Sequence, residues 1–70
     1  MTIKTLSAVL HHEEDMYVAR CPETGTVSQG VTVEEALANL KEATELYLEE
    51  FPLLSMDKSF LTTFEVAVNA

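Results

Sequence analysis

The chain has little of what small folds usually rely on to hold themselves together. Its 70 residues include one cysteine, Cys21, so no disulfide can close within it. Its two histidines are the adjacent pair His11-His12, and with a single Cys there is no spaced Cys/His set for structural zinc. Two glycines and two prolines provide turns but no Gly-rich loop to cradle a phosphate. Basic residues are few for the acids they face: four Lys plus Arg stand against 12 Asp plus Glu, a formal net charge of −8. Phosphate backbones need a basic surface, so this balance argues against direct nucleic-acid binding and for a basic partner. No basic stretch followed by an apolar run marks a secretory leader, and no apolar run is long enough to cross a bilayer. The expectation is a cytoplasmic chain with Cys21 as a free thiol.

What remains is a globular composition, 47 % apolar, on a length that allows one domain over residues 1–70. A chain this short buries only about 60 % of its unfolded surface. Without staples, it needs tight packing or self-association.

The order of residues gives the elements. Ile3 to His12 alternates, with Leu6, Ala8 and Leu10 on one face, as a strand does. Glu13-Glu14-Asp15 reads as a hairpin turn. Met16 to Cys21 alternates again, with Tyr17, Ala19 and Cys21 opposite Met16, Val18 and Arg20. After Pro22-Glu23-Thr24-Gly25, a short strand over Thr26 to Gln29 closes at Gly30. Thr32-Val33-Glu34-Glu35 is a capping box, in which the Thr32 hydroxyl accepts from the Glu35 N–H and the Glu35 carboxylate reaches back to the Thr32 N–H. Val33, Ala36, Leu37, Leu40, Ala43, Tyr47, Leu48 and Phe51 then recur at helical steps until Pro52. Phe60 to Val68 returns to period two, with Phe60, Thr62, Phe64, Val66 and Val68 sharing a face. The fold class expected is α+β, in the order β-β-β-α-β, a small sheet with one helix on one face. Both faces of the strands carry apolar residues, and one helix covers one face. Either residues 52–59 fold over part of the remainder, or the chain associates through the uncovered sheet face or an edge strand.

The helix breaks a rule of its own. Glu45, Glu49 and Glu50 crowd its C-terminal half, where the macrodipole disfavours anions, and Lys41 alone offsets them. Glu35, Ala38, Glu42, Leu46 and Glu49 fall on its outward side, leaving Leu46 as an apolar spot among acids. A solvated helix face with one stray Leu has this pattern, and so does a docking patch for a basic partner; the candidate partner-binding residues are Glu35, Glu42, Glu45, Leu46 and Glu49.

Catalytic chemistry has no such pattern behind it. Adjacent His11 and His12 on a strand point to opposite faces and cannot chelate one ion together. Cys21 alternates inward, as a small apolar residue does, and lacks an activating base beside it. A two-metal nuclease needs acids on the strands facing one pocket; the first strand has none from Ile3 to Leu10 and the last has only Glu65. No catalytic residue, metal or cofactor is expected.

The stretch Tyr17-Val18-Ala19-Arg20-Cys21-Pro22-Glu23, then Val27-Ser28-Gln29-Gly30-Val31-Thr32-Val33-Glu34-Glu35-Ala36, and then Glu45-Leu46-Tyr47-Leu48-Glu49-Glu50 resembles the HicB-like antitoxin family. The shared features are a tyrosine-bearing strand ending in Pro-Glu, a Ser-Gln-Gly, and Thr-x-Glu-Glu-Ala at a helix start. The resemblance is close over residues 17–50 and extends to the flanks in pattern only. It implies a degraded ribonuclease H-like β-β-β-α-β domain that binds and neutralises a HicA-like toxin, a small basic mRNA-cleaving ribonuclease, and that associates as a dimer or tetramer. Two departures stand out. The turn before the third strand is the short Thr24-Gly25, and no C-terminal DNA-binding domain follows, so the chain looks like the short form of the family. The expected function is a non-catalytic, antitoxin-like binding protein. The alternatives are a stand-alone oligomeric domain with another protein or small-molecule partner, and a metal-dependent nuclease.

Overall fold

The computed structural model describes residues 3–52 and 60–69. Three strands and a helix follow in chain order: β1 (Val9–Glu13), β2 (Met16–Arg20), β3 (Val27–Gly30) and α1 (Val33–Glu50). The strands form one antiparallel sheet in the order β1-β2-β3, with the helix against one face. This is the α+β layout that the alternation and the capping box dictate.

The register shows how the sequence sorts its faces. Leu10 lies opposite Ala19 and Tyr17 opposite Gly30, and these residues face the helix. Val9 opposite Arg20 and His11 opposite Val18 form the other face. Glu13 pairs with Met16, so the β1–β2 turn is Glu14-Asp15 alone, with Glu14 at φ 55°. Two-residue hairpins favour the left-handed region because it matches strand twist. Between β2 and β3, Gly25 takes φ 81° and donates its N–H to the Cys21 carbonyl at 2.7 Å, while Cys21 N–H donates to Thr26 O at 2.9 Å. A left-handed residue here suits glycine.

Helix α1 begins as the capping pattern requires. Thr32 is extended, and its hydroxyl accepts from Glu35 N–H at 3.0 Å. The returning carboxylate differs by one residue from expectation: Glu35 Oε1 accepts from the Val31 N–H, at 3.1 Å, instead of the Thr32 N–H. The carboxylate reaches past the cap and ties down the two-residue link between β3 and α1. The link is tight because Gly30 lies under the helix start, where a Cβ would stand 2.5 Å from Ala36 N. The helix ends at Glu50, with Phe51 N–H donating to Tyr47 O.

Among the described residues the buried apolar ones are Ala19, Cys21, Ala36 and Leu40, with Leu6, Ala8, Leu10 and Tyr17 packed half-buried around them. Cys21 is therefore inward and apolar in setting, as its alternation indicates. Three threonines extend the core: Thr26 Oγ1 lies 2.7 Å from both Thr24 Oγ1 and the buried Thr44 Oγ1. Asn39 Nδ2 adds a second tie, donating to the Gln29 carbonyl at 2.8 Å.

Two segments depart from the expected strands. The first strand begins at Val9, not Ile3. Continuing the β1–β2 register places Ser7 opposite Pro22, which has no N–H to give a ladder. Glu23 takes over instead, its carboxylate accepting from Ser7 N–H at 2.9 Å and from Cys21 Sγ at 3.4 Å. The closing strand over Phe60–Val68 is likewise not formed; residues 60–69 are exposed and carry no ladder. Period two gives this segment the right pattern, but a strand also needs an edge to pair with, and among the described residues none is paired to it. The proposed cover from residues 52–59 lies outside the described residues apart from Pro52, which is exposed.

Candidate partner-binding surface

Helix α1 sits chiefly over β3, then over β2, and little over β1. Its buried side is Ala36, Leu40 and Thr44. The opposite side is an acidic ridge: Glu35, Ala38, Glu42, Leu46 and Glu49 are all exposed, and Leu46 keeps 59 % of its surface in solvent. The helical period brings these residues together, because they recur at steps of three and four. Glu45 stands a step round the helix, on the rim of a groove that Lys41 also borders. Glu35 is the member with a structural duty, through its bond to Val31 N–H.

Charge on this ridge is uncompensated. Among the described residues the one contact at ion-pair distance is His11 Nε2 to Glu13 Oε2, at 3.0 Å, far from the helix. None of the helix carboxylates meets a cation among those residues. The last helical turn contains no basic residue either, so the carboxylates of Glu49 and Glu50 lie near the negative end of the macrodipole without local relief. The first-turn pair Glu34 and Glu35 sits at the favourable end.

Among curated proteins, the chain is 43 % identical over 68 residues to a UPF0150 protein of Helicobacter pylori strain J99, a match spanning 89 % of this chain and 94 % of that protein. The chain belongs to the UPF0150 family. No family model matches it, and no solved structure matches it.

Other sites in this UPF0150 member offer less. His11 and His12 split between faces: His11 lies opposite Val18, and His12 stacks on Tyr17 with ring centroids 4.7 Å apart. Among the described residues no group of three His, Cys, Asp or Glu side chains is placed to hold a metal, and no helix is long and apolar enough to cross a membrane.

Three residues have structural roles that their place in the sequence pattern does not announce. Glu23, read as a turn acid, binds the Ser7 amide, and this bond holds its carboxyl down from 4.5 to about 2. Thr44, outside the apolar stripe, is buried and hydrogen-bonded. Gly30, read as closing a strand, is the close-approach point for the helix. Cys21-Pro22-Glu23 points to this role only once the β1–β2 register is known, since a proline facing a strand residue leaves that residue's amide for a side chain to satisfy.

Proposed function

We propose that this protein is a HicB-like antitoxin of the UPF0150 family, a non-catalytic binding protein that neutralises a small basic HicA-type ribonuclease by direct contact. The observation that carries this reading is the acidic ridge of α1, exposed and without cation partners, with Leu46 at its centre. A ridge of this kind attracts a basic surface over distance, and an apolar side chain amid charge supplies the desolvated anchor that fixes the complex. The −8 net charge extends the same attraction to the whole molecule. The motif order over residues 17–50 adds to it, and the lack of acids from Ile3 to Leu10 argues against a nuclease site.

The test is growth of cells expressing a HicA-type toxin, with and without this chain. Co-expression of the antitoxin restores growth; Leu46→Arg, or joint change of Glu42, Glu45 and Glu49 to Gln, reduces rescue and weakens complex formation by about tenfold or more, roughly 1.4 kcal/mol. Rescue that the variants leave unchanged places docking on another surface. Absence of any rescue or binding favours a stand-alone domain with another partner.

A further inference from the structure

We propose that residues 60–68 are an exchanged strand, laid in the groove between α1 and residues 3–8 of a second copy of this chain. The groove is open and about 1100 Å³, and Leu6, Ala8, Cys21, Leu37, Leu40 and Leu48 supply its apolar walls. It exists because the helix stands over β3 and β2 and leaves the β1 side bare. Leu37 is consequently 45 % exposed although it belongs to the helix's apolar stripe. The edge of the sheet beside it is open too, since β1 is a terminal strand and residues 3–8 have no ladder partner.

The chain contains one segment that fits. Phe60, Thr62, Phe64, Val66 and Val68 form one row, and Leu61, Thr63, Glu65 and Ala67 form the other, with a single charge, Glu65, in the more polar row. Laid beside β1, the first row meets Leu37 and Leu48 and the second, with Glu65, faces solvent. Nine residues of strand span about 30 Å, enough to run along most of residues 3–13.

The segment does not serve its own groove. Phe60 and Leu61 lie in a separate hollow with Val9 and Arg20, on the face away from the helix, and Phe64, Val66 and Val68 are 83, 69 and 76 % exposed. The molecule is accordingly long, 50 × 28 × 16 Å, with a radius of gyration of 14.4 Å against about 11 Å for a compact chain of this length. Its accessible surface is 6100 Å², whereas a compact monomer of 7.8 kDa exposes about 4,400 Å². The excess, roughly 1,700 Å² per chain, is ample for a stable interface. Reciprocal exchange fills two grooves with two segments and closes the symmetry. Glu35, Glu42, Leu46 and Glu49 lie outside the groove's lining and remain exposed in the dimer, while Ala38 and Glu45 border it.

The test uses the full chain alone, without toxin, so its outcome is separate from the antitoxin reading. Sedimentation equilibrium should give twice the 7.8 kDa chain mass. The double variant Phe64→Asp, Val66→Asp should be monomeric and still fold cooperatively, keeping the helical part of its circular dichroism and losing only strand signal, because both side chains are exposed in the single chain. Isotope-filtered NOE spectra of mixed labelled and unlabelled chains should show the Phe64 ring against Leu37 or Leu48 methyls between chains. A 7.8 kDa species at millimolar concentration overturns the proposal, as does a dimer that survives the double variant. Contacts of Phe64 with those methyls within one chain overturn it equally.

Discussion

Gly30 and Glu23 show how much of this fold is decided by single side chains. At Gly30 the constraint is distance: a methyl group would sit 2.5 Å from Ala36 N and 2.8 Å from Glu35 C, which are backbone atoms that cannot rotate aside. Gly30→Ala should therefore cost about 1–3 kcal/mol in urea unfolding, as overpacking does; a loss within experimental error would show that the helix start shifts freely. At Glu23 the constraint is charge. Its carboxyl is held at about 2 chiefly by the Ser7 amide, against an ordinary 4.5. A depressed folded value means that the ionised form favours folding: the contribution is fully present above pH 4.5 and is lost as pH falls toward 2. Glu23→Gln should lose this part of the acid sensitivity, so that wild type and variant converge in stability at low pH. Parallel pH curves would rule it out. Neither role was legible from composition. Gly30 looks like a turn glycine because nothing local reports which element passes over it, and the Glu23 bond becomes visible only once the β1–β2 register sets Ser7 against Pro22.

At the scale of elements, the sequence was most legible where the determinants are local. The helix starts at its capping Thr32 and ends at Glu50, two residues before Pro52, because caps, periodicity and breakers act within a few residues. Thr32→Ala removes the acceptor for Glu35 N–H and should destabilise the protein by about 1 kcal/mol, read from the midpoint of denaturant unfolding; an unchanged midpoint would mean that the Glu35 bond to Val31 suffices. The hairpin β1–β2 is local in the same sense. Strand length is not: Ile3 to Ala8 and Phe60 to Val68 have strand periodicity, but pairing is decided by what lies alongside, which the sequence of one segment does not state. The acidic outward side of α1 was legible as a pattern on the helix, and the structure places Glu35, Glu42, Leu46 and Glu49 on one exposed side, with Glu45 turned toward the groove.

For the whole molecule, charge divides the two associations proposed for it. Two copies of a −8 chain repel, so salt should strengthen the strand-exchanged dimer by screening. A complex between the acidic ridge and a basic ribonuclease should respond in the opposite sense, weakening as salt rises. Titrating the chain by calorimetry with a catalytically inactive HicA-type toxin, at low and then physiological salt, addresses the central claim most directly. The antitoxin reading expects saturable binding that weakens with salt and drops about tenfold or more with Leu46→Arg; no binding at low salt, or binding indifferent to salt and to Leu46, would contradict it.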